Sequence, residues 1–357
     1  MKLDYFHTVM LFCLKQFNGE RTVSAIYHLL NGKKSSQTIQ DGKLFNVTFL
    51  FSLFPKLSRI QTDETWNALL KQGLIEQLPD NKSRLTNEGN EFLKERLGNK
   101  PIPSQLNGWN YGDVGRVLWR RLSLLVQVLS NYAYEKRDYL PVTKNQEDLQ
   151  WVKIFLKQHD RSNNELADRI YSELKDILNT QSSKDATIFV QRLTSSQKIG
   201  LTFEQIAYKH DEDPIYTYLL FWNVVHSIIT SLQTNKNKYL LLNEMLEDKW
   251  HIEGFTSSTK ITRSYLLQGL DPAEIATVRR LKQSTIEDHI VEITLHDQQY
   301  IPTAFLNEED YKKIMGAITK LKTHQLKKVR EVLNNEYSYF QIRLTYALIG
   351  RGETSKS

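Results

Sequence analysis

Apolar residues recur at three- and four-residue spacing along most of the chain, and this periodicity limits the fold more than any other feature. Four segments share it: residues 116–132, 150–180, 216–233 and 308–333. In the second, Leu166, Ile170 and Leu174 fall on one face of an α-helix. A β-hairpin is indicated at one place, where the turn signal Pro79-Asp80-Asn81 precedes the alternating residues 83–86. We therefore predict a mainly α protein with one small hairpin.

The chain has 357 residues, and at roughly 150 residues per domain this length suggests two or three domains. Helical periodicity stops in residues 98–115, where Gly, Pro and Asn cluster, and again in the polar run 253–260. We predict a winged-helix-like domain at 1–100, a central helical domain at 101–253 and a helix-turn-helix module at 254–350.

The basic surplus lies at the two ends of the chain. Residues 1–100 carry 14 basic and 10 acidic side chains, residues 254–357 carry 15 and 12, and the middle carries 18 and 19. A basic terminal module favours nucleic acid or another anionic partner. The most apolar segment, 216–232, contains Asn223 and His226 and is shorter than the ~20 residues that span a bilayer. We predict a cytoplasmic protein with no membrane partner.

Motifs of catalysis and metal binding are missing from the sequence. It contains no HExxH, no GxSxG and no GxxxxGK[ST] phosphate loop, and the single cysteine, Cys13, excludes cysteine-rich zinc sites. We expect no enzyme, no metal site and no cofactor.

Residues 259–294 carry the sharpest local signal. They are predicted to form a helix ending at Gly269, a short helix from Pro272 with Asp271 as its N-cap, a turn at 280–283 and a second helix. Ile275 and Leu281 suit the interior of a helix-turn-helix motif.

The second helix of this motif is acidic: it carries Glu287, Asp288 and Glu292 and no Lys or Arg from 283 to 294. Carboxylates are repelled by phosphate, so the helix could instead pack internally or dock a protein. Its start is compatible with DNA: Gln283 and Ser284 could contact bases, while Arg279, Arg280 and Lys282 could hold phosphates.

Two further basic segments are candidates for phosphate contacts. Seven positive charges and no acid occur in residues 312–330: Lys312, Lys313, Lys320, Lys322, Lys327, Lys328 and Arg330. In the N-terminal region, residues 63–97 suggest a winged-helix ending, and Lys82 and Arg84 at the tip of the wing could touch a DNA backbone. The alternatives are a solvated helix face and an ordinary hairpin.

The C-terminal region resembles the helix-turn-helix module at the C-terminus of RecQ-type DNA helicases. Matching positions of its motif are held by Glu274, Ile275, Ala276, Arg279, Leu281, Ser284, Thr285, Ile286 and His289. Two positions depart from it: Arg280 replaces the usual turn glycine, and Lys282 replaces a serine that would cap the second helix.

The whole chain, including residues 20–41 and 192–207, resembles the YpbB family of Gram-positive bacteria. The resemblance implies a non-catalytic accessory that acts with a RecQ-type helicase and binds the DNA backbone through basic helices. Two alternatives stay open: a sequence-specific transcription regulator, and an adaptor that docks the helicase without binding DNA. The sequence leaves the oligomeric state undetermined.

Overall fold

The computed structural model describes residues 3–159, 163–250 and 255–353. They form two compact units. One comprises residues 3–9 and 92–250, and the other comprises residues 10–91 and 255–353. Helices α1 (Tyr5–Phe17) and α5 (Asn87–Asn99) each contribute residues to both units. The predicted first and third domains therefore supply most of the same unit, and the three-domain division stays a prediction.

In the described residues of the first unit all regular secondary structure is helical, including a 3-10 turn at Glu247–Lys249. Its helices are α6 (Gly108–Ala133), α7 (Gln146–Gln158), α8 (Asn163–Leu178), α9 (Ser183–Gln191), α10 (Phe203–Lys209), α11 (Pro214–Thr234) and α12 (Leu240–Glu244). The core is built around α11, against which α6, α8, α9 and α10 pack. Asp213 caps α11 by accepting hydrogen bonds from the backbone N–H groups of Ile215 and Tyr216.

Helix α11 is apolar because it is the core helix of this unit. By length and composition it could cross a membrane, but 72% of its most apolar stretch is buried within the protein. The packing favours a core helix over a membrane span.

The N-terminal part of the second unit has a winged-helix arrangement. Three helices, α2 (Val23–Asn31), α3 (Ser36–Leu44) and α4 (Arg59–Lys71), precede an antiparallel hairpin of β1 (Ile75–Leu78) and β2 (Lys82–Leu85). Ser58 begins α4 with a capping box to Gln61. The indole N–H of Trp66 on α4 donates to Ser83 Oγ at 2.8 Å and so attaches the hairpin to the helix. The predicted mainly α fold with one hairpin is confirmed.

The C-terminal part of the second unit contains six helices: α13 (Ser257–Leu267), α14 (Pro272–Arg279), α15 (Gln283–His296), α16 (Glu308–Leu321), α17 (Leu326–Val332) and α18 (Tyr339–Glu353). Helix α15 lies among α13, α14, α18 and the N-terminal α3. The unit is thus one core shared by two distant parts of the chain.

Three helix boundaries differ from the periodicity. Residues 308–333 form two helices, because Lys322 takes a left-handed conformation (φ 47°) that ends α16. The 150–180 segment also divides into α7 and α8, with 160–162 outside the described residues. Helix α6 begins at Gly108, within the stretch predicted as a domain boundary.

Candidate nucleic-acid interface

Helices α14 and α15 form the helix-turn-helix, and the sequence explains its geometry. Asp271 caps α14 through the N–H groups of Ala273 and Glu274, each at 2.8 Å, and Glu274 completes the capping box. The turn then requires a left-handed residue, which here is Arg280 (φ 52°). Lys282 occupies the N-cap of α15 and makes no side-chain cap. Both departures from the helicase motif are therefore visible in the backbone.

The second helix of the motif is internal over most of its length. Ile286 and the seven consecutive residues 289–295 of α15 are buried. Seven residues cover two helical turns, so burial extends all around the axis in this part of the helix. A helix buried on every side cannot lie along a major groove, which a recognition helix enters with an exposed face. In this packing the exposed residues of α15 are Gln283 and Ser284 in its first turn, and Glu287 and Asp288 are half-buried.

Arg343 on α18 joins α15 to the N-terminal helix α3. Its guanidinium donates to Asp288 Oδ1 at 2.5 Å, to Ser36 Oγ at 2.6 Å and to Gln40 Oε1 at 3.1 Å. Its side chain is 16% exposed. One cation therefore connects three helices from both ends of the chain, and it neutralises one carboxylate of α15.

Glu292, another carboxylate of α15, is also used internally. It accepts hydrogen bonds from the N–H of Thr256 and from the hydroxyl groups of Thr256 and Thr259. Burial raises the pKa of Glu292, and these hydrogen bonds oppose the rise. Two acidic side chains of α15, Asp288 and Glu292, thus make hydrogen bonds to other helices of the unit or to the residue that caps one of them.

Of the two histidines of α15, His289 is buried and His296 is half-buried, and both are neutral at pH 7. Burial lowers the pKa of His289 to about 4, with help from the nearby charge of Arg279, and lowers that of His296 to about 3. Nδ1 of His289 lies 2.8 Å from the Thr262 hydroxyl. These groups belong to the core of the unit.

The five predicted contacts around the turn fall into two classes. Arg279 is turned inward: it donates to the carbonyl oxygen and the hydroxyl of Ser258, each at 2.9 Å, and to Thr262. The other four are exposed: Arg280, Lys282, Gln283 and Ser284. Among the described residues, neither Arg280 nor Lys282 has an ion pair. The side chains of Arg280 and Lys282 are therefore available to an anion at the N-terminus of α15.

The seven charges of residues 312–330 do not form one stripe, because they are divided between α16, its C-cap and α17. Lys312 pairs with Glu308 at 2.6 Å, Lys313 with Glu309 at 2.8 Å and Lys327 with Glu331 at 3.9 Å. Arg330 donates to the carbonyl oxygen of Tyr337 and lies over the Tyr339 ring. Lys320, Lys322 and Lys328 are exposed and, within the described ranges, have no ion pair. Ion pairs on an exposed surface are weak, so a phosphate could displace the acids from the paired lysines.

The two cations of the wing, Lys82 and Arg84, each lie beside an acidic side chain. Arg84 Nε donates to Glu76 across the hairpin, and Lys82 Nζ lies 3.9 Å from Asp80. Lys82 also forms a β-bridge with Thr22. As at the C-terminal lysines, these pairs are at the surface and weak.

The turn at Gly19–Thr22 brings the wing close to the turn between α16 and α17. The Glu20 carboxylate accepts from the Thr323 hydroxyl and the His324 N–H, both at 2.7 Å. Thr22, two residues further on, bridges to Lys82. Because two residues span no more than about 7 Å, Lys82 and Lys322 border the same short turn. Two basic segments that are far apart in sequence are therefore both attached to residues 20–22.

Several residues that organise this surface were missed by sequence reasoning. Glu20 and Arg343 bind across more than 300 positions of chain, and no local motif indicates such contacts. Among the described residues, no group of three or more His, Cys, Asp or Glu is arranged to hold a metal ion.

Comparison with known proteins gives two matches. A family described as "Helix-turn-helix domain" matches residues 258–346, a match that indicates DNA binding. Protein YpbB of Bacillus subtilis (strain 168) is 39% identical over 345 residues, which cover 96% of this chain and 97% of that protein. No solved structure matches the chain.

Proposed function

This chain belongs to the YpbB family, and on that premise we propose that it is a non-catalytic, cytoplasmic accessory of a RecQ-type helicase that binds the DNA backbone without reading sequence. The observation that carries the proposal is the contrast between the buried C-terminal part of α15 and its exposed, basic N-terminus. Residues 289–295 are buried, and two exposed cations, Arg280 and Lys282, lie at the helix N-terminus and have no ion pair within the part of the chain that the structure describes.

Phosphate contacts suit this end of the helix. The first N–H groups of an α-helix have no partner within the helix, and the helix dipole places partial positive charge there. Lys282 leaves them uncapped, and the two cations add charge beside them. Such contacts supply affinity and register but carry no base information.

The remaining cations support a broad, weakly specific footprint. Lys320, Lys322 and Lys328 lie around the α16–α17 turn, and Lys82 lies on the wing beside it. Together with Arg280 and Lys282 they could neutralise several phosphates. Log affinity for duplex DNA then falls with log salt by roughly 0.9 per phosphate neutralised.

Burial of residues 289–295 argues against the sequence-specific regulator. A regulator of that class needs side chains along its recognition helix to reach base edges. Among the described residues of α15, Gln283 and Ser284 are the exposed ones, and two side chains offer few contacts to base edges.

The test is fluorescence anisotropy of the full chain with duplex, single-stranded and forked DNA over a salt series. We expect affinity that falls steeply with salt and differs little between unrelated sequences. The variant R280E/K282E should lose affinity for all of them and flatten the salt slope by about 2, since each lost phosphate contact removes roughly 0.9. The variant K153E/K157E reverses two exposed charges on α7 and serves as the matched control.

Two outcomes would contradict the proposal. Unchanged affinity and slope in R280E/K282E would remove the α15 end as the contact, and a large preference for one genomic sequence would restore the regulator. The helicase role needs a separate assay, in which unwinding of forked DNA by a RecQ-type helicase lacking its own C-terminal module is measured with and without the chain. No acceleration would remove that part of the proposal.

A further inference from the structure

The first unit carries a groove that DNA binding does not use. It lies between α6, α8 and α9 and has a volume of about 830 Å³. Its floor includes Leu129 of α6 and Ile170, Leu174 and Leu178 of α8. A concave site of this volume falls within the range of ligand-binding sites in proteins.

The rim of the groove exposes large apolar side chains. Tyr134 is 55% exposed, Tyr171 61% and Val190 50%, whereas the floor residues Ile170 and Leu174 are 3% and 7% exposed. An apolar floor with tyrosines at its edge is the composition of a protein-binding hot spot, where aromatic anchors surround a dry pocket.

The length of the groove matches a short helix. Its α8 wall runs from Ala167 to Leu178, which at 1.5 Å per residue is about 16 Å. Three turns of a partner helix have the same length. Such a helix would place apolar side chains at positions i, i+3 or i+4, and i+7 into the groove.

The charge of the lining indicates the partner's sign. Among the described residues that line the groove, Lys175 is the one that carries a charge. Within the described residues it has no ion pair. Its ammonium group lies 5.4 Å from the Tyr171 ring centroid. Neighbouring acids of α8 are bound elsewhere: Glu173 accepts from the N–H groups of Leu241 and Leu242, and Asp176 accepts from Tyr239. A carboxylate on the partner could pair with Lys175, and none of the described residues that line the groove is acidic.

We propose that this groove binds an amphipathic α-helix of a partner protein, about three turns long, with a Glu or Asp that pairs with Lys175. All residues that line the groove belong to the first unit, whereas the proposed DNA contacts belong to the second; the chain would thereby hold a protein and DNA through different residues.

Photo-crosslinking in the native host is the first test. The full chain carries p-benzoylphenylalanine in place of Tyr171, and a control carries it in place of Tyr208, which is 92% exposed and outside the groove. We expect an adduct from position 171 that the control lacks, and peptide sequencing of the adduct should give a segment with helical apolar periodicity and an acid. No adduct above the control, a segment without that periodicity, or a second copy of this chain would overturn the proposal.

Charge exchange is the second test. The crosslinked segment is synthesised as a peptide, and its affinity is measured for the full chain and for K175E. We expect K175E to bind roughly tenfold more weakly and a peptide with its acid changed to Lys to recover affinity for K175E. Equal affinity of both chains for the original peptide would refute the assignment of Lys175. DNA affinity of K175E should equal that of the wild type, so failure of this site and failure of DNA binding are separate results.

Discussion

Replacing Arg343 with Met would remove the cation that joins α3, α15 and α18 while keeping an unbranched apolar side chain. Three acceptors lose a donor: Asp288, Ser36 and Gln40. Ser36 Oγ keeps a hydrogen bond from the Gln40 amide at 2.7 Å. Asp288 Oδ1 and the side-chain amide oxygen Oε1 of Gln40 are left without the bonds from Arg343.

The magnitude follows from the exposure of those two groups. The Asp288 side chain is 39% exposed, so water replaces part of the lost pairing and the loss is about 1 kcal/mol. Gln40 is only 6% exposed, and an orphaned buried acceptor costs about 1–3 kcal/mol. We therefore expect R343M to lower the free energy of unfolding of the second unit by roughly 2–4 kcal/mol, or Tm by about 5–12 °C.

Amide hydrogen exchange measures this change helix by helix. Protection of α3 and α15 should fall together in R343M, because the same side chain holds both. The matched variant K312M removes a surface pair whose side chains are 66% and 81% exposed, and we expect no measurable change in exchange, because water replaces the lost pairing. If R343M changed exchange in α3 and α15 no more than K312M does, the argument that Arg343 unites the two ends of the chain would be refuted.

Three further predictions concern α14 and α15. The pKa values of His289 and His296 are lowered to about 4 and about 3, so their contribution to the free energy of unfolding is complete above pH 6.5 and is lost as the pH falls toward 4, because the unfolded chain takes up protons first. Glu292, whose pKa is raised, acts in the opposite direction. In urea titrations, the free energy of unfolding should differ less between pH 7 and pH 5 for H289N than for the wild type. R280G removes a side chain from a left-handed position and should raise stability by about 1 kcal/mol while lowering DNA affinity, a combination that denaturation and anisotropy check together. K282S restores an N-cap to α15 and should add about 1 kcal/mol; no increase in the urea midpoint would mean that the helix end is satisfied by other groups.

Local chemistry explains what the sequence could predict. Asp271 followed by Pro272 and Glu274 is a complete helix start, and the observed capping box confirms it. Gly269 takes the positive φ that a turn requires (φ 87°). The hairpin likewise follows from the turn residues 79–81 and the alternation beside them. Each of these signals lies within a few residues of the structure that it determines.

Contacts across the chain explain what the sequence could not predict. Nothing near Lys322 marks a helix end, since neither Gly nor Pro stands there; the break accompanies binding of Thr323 and His324 by Glu20. The burial of α15 depends on α3 and α18, and the acids Asp288 and Glu292 give a solvated appearance to a helix that is internal. The acidic composition left internal packing and protein docking open as alternatives to DNA contact, and the hydrogen bonds of Asp288 and Glu292 show internal packing at these two positions.

The shared core of the second unit also sets a condition for anyone who wants to transplant this helix-turn-helix. Cut out alone, residues 254–350 would lose α3 from the side of α15 and leave Arg343 without Ser36 and Gln40. We expect such a fragment to expose to solvent the apolar surface that α3 covers in the whole protein, and to self-associate during expression. A soluble helix-turn-helix module therefore has to include residues 10–91 as well, so two separate stretches of the sequence must be transferred together.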